Sequence, residues 1–266
     1  MEPETSHLRR FRIDLAYDGR LFAGWQSQAC GNTIQDVLLA KMKLICPEIE
    51  SVQGSGRTDA GVSAANQVAH FDVPTDWKMT ARDWRNALNA HLPPSIRIFK
   101  SNEVASDFHS RFSAIGKTYR YQICCGEVLP PLEHGLTWLL RDFDEIEQLK
   151  KGAEAFIGTH DFRSFSANRN DGKDQTRDCV REILSATVEK GQQESIIMTF
   201  SGDGFLYKMV RFLVGSSVYF AQDKLSLPEI EHLLSGKFPL EKAPYCAPPD
   251  GLSLMEVRYP VEFAGK

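Results

Sequence analysis

From Gly54 to Gly61 the chain reads Gly-Ser-Gly-Arg-Thr-Asp-Ala-Gly, which sets a guanidinium at Arg57 and a carboxylate at Asp59 two residues apart among three glycines. Glycine tolerates positive φ and lets another molecule come close to the main chain, so a loop of this composition presents both charges without bulky neighbours. A guanidinium and a carboxylate displayed in this way are candidates for binding or chemistry. The plainer alternative is an Asx-turn, with Asp59 accepting a backbone N–H and Arg57 an ordinary surface charge.

A second group of residues has a different texture. Arg111, Lys117 and Arg120 are interleaved with Phe108, His109, Phe112 and Tyr119, the basic-plus-aromatic mixture that tracks phosphates and stacks unpaired bases. Tyr119 and Tyr121 also alternate as core aromatics of a strand would. Further on, Lys208 and Arg211 lie three apart beside Leu206, Met209, Val210, Leu213 and Val214, so a cation is held next to an apolar helical stripe, either snorkelling to solvent or pairing with a buried carboxylate.

Common enzyme signatures are missing. The chain has no P-loop, no GxGxxG and no HExxH; Gly61-Val62-Ser63-Ala64-Ala65 resembles a nucleophile elbow but ends in alanine, and His160-Asp161 stands alone. Six cysteines without a CxxC pair and seven histidines without shared spacing predict reduced thiols and no metal site. The net charge of −4 means that any nucleic-acid partner must be drawn by local basic patches. No apolar run approaches the roughly 20 residues of a membrane span, and the first residues lack a signal-peptide pattern, so the expectation is a cytoplasmic globular protein with no membrane association.

These residues must be positioned by an alternation of strands and helices. Period-two patterning predicts strands over 10–18, 67–73, 96–104 and 119–123, a hairpin over 180–189 and 195–201, and a last strand over 252–259. Helices are predicted from Thr33 to about Cys46, from Thr80 to His91, from a capping box of Asp144 and Glu147 to Ile157 with Gly158 closing it, over 206–220, and over 227–234. Residues 168–176 read as a polar surface loop. A chain of 266 residues with 42% hydrophobic content suits two α/β halves, 1–105 carrying the Asp59 loop and 106–266 completing a site, although no residue-level repeat relates them.

The motifs resemble those of the TruA family of tRNA pseudouridine synthases. In the first half the resemblance rests on Tyr17-Asp18-Gly19, Gly24-Trp25-Gln26, Thr33-Ile34-Gln35, Gly54 to Val62, Gln67-Val68, His70-Phe71 and Ala87-Leu88-Asn89. In the second it rests on Phe108-His109, Arg111 to Ala114, Lys117, Tyr119 to Tyr121, Gly158 to Phe162, Gly204 to Leu206, Met209 to Arg211 and Ala247 to Pro249 with Gly251-Leu252. Two departures stand close to the loop: Ser63 where the family often has histidine, and Asn66 where glycine is common.

The resemblance implies an α+β fold of two similar halves sharing an extended, mainly antiparallel sheet, with helices on one side and a central RNA-binding cleft. It implies a homodimer that isomerises uridine to pseudouridine in the anticodon arm of tRNA, around positions 38 to 40, with neither metal nor organic cofactor. Asp59 matches the nucleophile, Arg57 the base-flipping arginine, Tyr119 the tyrosine that stacks on the target uracil, and Arg211 the cation that pairs with the aspartate. Leu252 matches an apolar pocket residue; Phe108, His109, Arg111, Phe112 and Lys117, with Lys173 and Arg177, match RNA-contacting positions. Three rival readings are a non-catalytic RNA-binding protein on the same scaffold, a hydrolase using Ser63 or His160, and a pseudouridine synthase with a different RNA target.

Overall fold

The computed structural model describes residues 8–169, 176–192, 194–237 and 241–263. By contacts the chain divides into two units, Met1–Ile115 with Leu254–Lys266, and Gly116–Ser253. Among the described residues there are ten strands and five α-helices, an α+β architecture of mainly antiparallel strands.

In the first unit, β1 (Leu8–Tyr17) forms because Phe11, Ile13, Leu15 and Tyr17 recur every second residue and are all buried. Helix α1 (Ile34–Ile45) starts where the Thr33 hydroxyl accepts the Asp36 N–H, and it stops ahead of Pro47. Then come β2 (Val52–Gly54), β3 (Ser63–Pro74), α2 (Ala81–His91) and β4 (Ile96–Val104). Thr80 and Asp83 exchange hydrogen bonds in a capping box that opens α2. The strands run antiparallel in the order β4, β1, β3, with β2 also paired to β3. β3 begins four residues before the apolar pattern predicts, because Ala64 pairs with Tyr17 beyond a register shift in β1. Phe11 stacks on Phe71 at 5.8 Å between ring centres, and Trp84 of α2 meets Phe71 edge-on at 5.0 Å. Burying each such ring contributes about 1.5–3 kcal/mol, which fixes helix to sheet.

The second unit contains β5 (Gly116–Cys124), β6 (Trp138–Leu139), α3 (Ile146–Glu154), β7 (Gly158–Asp161), β8 (Val180–Lys190), β9 (Ser195–Gly202), α4 (Met209–Ala221) and α5 (Leu227–Leu234). Its strands run antiparallel in the order β5, β9, β8, β7, with β6 parallel to β5. Tyr119, Tyr121 and Ile123 lie on the buried side of β5, whereas Arg120 is exposed. Two helices differ in their bounds from the sequence pattern. The residue before α3 is Glu145, whose side chain makes no capping bond, while Glu147 pairs with Lys150; the helix ends at Glu154, and Gly158, at φ +113°, opens β7. Helix α4 begins at Met209 and not at Leu206, because Lys208 takes a left-handed conformation at φ 60°.

The last strand, β10 (Leu252–Arg258), lies beside β3, and its residues from Leu254 onward belong to the first unit. No helix among the described residues is long and apolar enough to cross a membrane.

Candidate active site

The Asp59 loop connects β2 to β3 and is held from several directions. The Tyr17 hydroxyl lies 2.8 Å from Thr58 Oγ1, and Gln67 Nε2 donates to Tyr17 Oη at 3.3 Å and to the Gly56 carbonyl at 3.1 Å. Ser55 Oγ donates to Gln67 Oε1 at 2.6 Å. Trp25 N–H donates to the Thr58 carbonyl and Val62 N–H to that of Asp59, both at 3.1 Å. Gly24, at φ +93°, runs so close behind the loop that a Cβ there would sit 2.7 Å from Thr58 O. Asp59 itself is half-buried, and Arg57 is exposed, its Nε donating to Gln26 Oε1 at 2.9 Å. The carboxylate therefore stands on backbone whose shape is set before any substrate arrives. Ser63, two residues beyond the loop, accepts the Gly19 N–H at 3.0 Å, which gives it a structural role.

The turn over residues 108–113 is tied to the same strand that enters the loop. Ser110 Oγ donates to the Gln53 carbonyl at 2.7 Å, and His109 Nε2 contacts Gln53 Oε1 at 3.0 Å. Phe108 is fully buried, packed near Tyr259, Phe263 and His70, so it anchors the turn from within. Arg111 and Phe112 are the residues the turn exposes: Phe112 is 76% accessible, with the Arg111 guanidinium 5.5 Å from its ring centre. β2 thus carries Gln53 four positions before Arg57 and joins the Asp59 loop to the turn over residues 108–113.

In the second unit, Tyr119 is buried on β5, edge-on to Phe205 at 5.0 Å. Arg211, in the first turn of α4, donates from Nε to the Ala247 carbonyl at 2.7 Å, while Ala247 N–H returns a bond to the Arg211 carbonyl at 3.0 Å. Tyr121 Oη donates to the Pro248 carbonyl at 2.9 Å, and burial raises that hydroxyl's pKa far above its ordinary value, although the Arg211 charge opposes the rise. Gly251, at φ +89°, approaches Gln122 so closely that a Cβ would lie 2.4 Å from its carbonyl oxygen, and this sets the next residue, Leu252, in a buried position. Lys117 lies on β5 opposite Gly202, and Arg177 just before β8; Lys173 lies outside the described residues. His160 Nε2 contacts the Ile157 carbonyl at 3.1 Å in a local bond of β7.

Residues 15–113 and 153–260 match the family model described as tRNA pseudouridine synthase. The chain belongs to this family. A protein of Akkermansia muciniphila named tRNA pseudouridine synthase A is 42% identical over 259 residues, 97% of this chain and 98% of its own. One of Desulfotalea psychrophila, named tRNA pseudouridine synthase A 1, is 40% identical over 95% of this chain and 100% of its own. One of Limosilactobacillus reuteri, named tRNA pseudouridine synthase A, is 36% identical over 94% and 96%. A solved structure titled as a Cbf5-Nop10-Gar1 complex aligns with 68% of this chain and 39% of its own at a TM-score of 0.33 and 14% identity, too low to bear on fold or function.

As a tRNA pseudouridine synthase, the protein is an isomerase acting on uridine in tRNA. Sequence patterning alone assigned no role to the residues that brace the Asp59 loop, Tyr17, Ser55, Thr58 and Gln67. Gln67 carries a visible signal, a polar residue just ahead of the apolar run of β3, and the structure uses it as a fully buried bridge between strand and loop.

Proposed function

We propose that this enzyme isomerises uridine in the anticodon arm of tRNA, around positions 38 to 40, with Asp59 as its nucleophile. The carboxylate adds to either ribose C1′ or uracil C6, the N-glycosidic bond breaks, the base turns, and its C5 bonds to C1′; the bond to Asp59 is broken either as C5 displaces the carboxylate from C1′ or as the carboxylate is eliminated from C6, which returns Asp59 free. The C5 hydrogen is released as a proton, and the freed N1 takes one up, so the product is an isomer of the substrate. A base inside a stem must first be extruded; Arg57 fills the space it leaves, and Tyr119 stacks on the ring. Arg211 supplies cationic charge and Leu252 apolar lining. Lys117, Lys173 and Arg177, with the segment carrying Arg111 and Phe112, grip the RNA.

The observation that supports this most is the state of the Asp59 loop: a half-buried carboxylate on backbone fixed by Tyr17, Gln67, Trp25 and Gly24, next to an exposed arginine. Tritium release from tRNA labelled at uridine C5 tests it. Asp59→Asn is expected to lower release by about a thousandfold or more while tRNA still binds. Full turnover by Asp59→Asn would refute the nucleophile. Mapping pseudouridine in tRNA from cells lacking the protein tests the site: loss confined to other positions would move the target.

The reading extends to a homodimer, as the resemblance implies, acting in the cytoplasm. Sedimentation at several protein concentrations addresses the first and imaging of a tagged chain the second.

A further inference from the structure

The turn that presents Arg111 and Phe112 is organised by one imidazole. His109 Nδ1 lies 3.1 Å from the Arg111 N–H and 3.3 Å from the Phe112 N–H, so it accepts from both and carries no proton. The ring hydrogen is then on Nε2, which donates to Gln53 Oε1 at 3.0 Å. Ser113 closes the same turn: its N–H donates to the His109 carbonyl and its Oγ accepts the His109 N–H, both at 2.9 Å. This is the bonding of a helix N-cap, with a histidine where aspartate or asparagine is usual.

The ring is held on its faces as well. It lies tilted against Phe112 at 4.4 Å between centres, and His70 meets it edge-on at 4.7 Å. Burial and the neighbouring charges of Arg10 and Arg111 lower its pKa, which keeps the ring neutral as the cap requires. Arg111, Phe112, His109 and His70 therefore form a continuous chain of contacts that runs from an exposed cation to a buried ring.

We propose that His109 is a positioning residue for tRNA binding: its unprotonated Nδ1 caps the Arg111 and Phe112 backbone, and so holds that exposed pair ready to take an unpaired base on the ring and a phosphate on the guanidinium. Part of the ordering is thereby completed before RNA arrives. The inference rests on the reading of this turn as a tRNA contact, and it assigns His109 to the support of that contact and not to the contact itself.

The test uses the full chain, with KM and kcat for tRNA measured by tritium release. Asn places Oδ1 where histidine has Nδ1, whereas Gln places its amide near the Nε2 position and leaves both N–H groups uncapped. His109→Gln is expected to raise KM about tenfold with a smaller change in kcat, and His109→Asn to rescue KM to within about threefold of the wild type. Arg111→Ala and Phe112→Ala are each expected to raise KM about tenfold. If both alanine variants keep the wild-type KM, the turn does not contact tRNA and the reading beneath the inference fails. If they raise KM but Asn and Gln at 109 are equally impaired, or Gln is the better tolerated, the cap has no functional part and the inference alone is overturned.

Discussion

Tyr17 and Thr58 meet hydroxyl to hydroxyl at 2.8 Å in the interior of the first unit, which joins β1 to the residue next to Asp59. Burial pushes the tyrosine pKa up to about 12, so the group stays a phenol under working conditions. Tyr17→Phe removes only this oxygen and leaves Thr58 and Gln67 each short of a partner. A loss of about 1–2 kcal/mol in stability is expected, together with a fall in kcat as the loop loosens. Urea unfolding and tritium release measure the two; a variant unchanged in both would show that the loop does not depend on this contact.

Gly24 and Gly31 allow a controlled comparison. Both have positive φ, at +93° and +65°, but a Cβ at Gly31 meets nothing within 4 Å, while one at Gly24 would press into the main chain at Thr58 and Asp59. Gly31→Ala should cost about 1 kcal/mol, from backbone conformation alone. Gly24→Ala should cost about 2 kcal/mol or more and should also lower turnover if Asp59 is the nucleophile proposed above, because the displaced atoms carry it. Thermal melts and kcat for the two variants check this, and equal losses of activity would contradict it.

His70 is 3% exposed, and its pKa is lowered to about 4, chiefly by burial and by the nearby Arg10 charge. The unfolded chain takes up this proton more readily than the folded one. Stability is therefore complete above the ordinary value of 6.5 and is lost as pH falls from there towards 4, a range worth about 3 kcal/mol. His109, also lowered, adds to the trend. Urea midpoints measured between pH 7 and 4.5 should fall with acidity, and His70→Gln should flatten the slope.

Arg211→Lys keeps the charge but not the fork. A lysine ammonium cannot reproduce the 2.7 Å bond from Nε to the Ala247 carbonyl while directing further donors elsewhere. A loss of about 1 kcal/mol in stability and a fall in kcat are expected. Wild-type kinetics in this variant would show that charge alone suffices at this position.

The strands and most helix starts were legible because their signals are local. Thr33 with Asp36 and Thr80 with Asp83 announce their caps, and β1 writes its buried face in alternate residues. Asp144 with Glu147 carries the same signature, yet the structure leaves the capping position to Glu145, because three residues of spacing do not fix the dihedral angles a cap needs. Lys208 was hidden for a related reason: helical spacing says nothing of a single residue that turns left-handed. Asp59 and Arg57 were visible as types in a glycine-rich loop. The bracing by Tyr17 and Gln67 was not, since Tyr17 lies 41 residues from Thr58 and 50 from Gln67 and the three meet only when the strands pair.

The first unit is also discontinuous in the chain. Arg12 donates to the Phe263 carbonyl and faces the Tyr259 ring, the Tyr259 hydroxyl bonds to the Ser110 carbonyl, and Ile115 N–H donates to the Arg258 carbonyl. During synthesis, the segment that supplies Asp59 leaves the ribosome early, but the strand that closes its sheet is translated after all of Gly116–Ser253. Domains made of one continuous stretch can fold in order of emergence. Here the half bearing Asp59 must wait for Leu254 to Arg258 of β10, so a chain abandoned before them cannot complete the scaffold around Asp59.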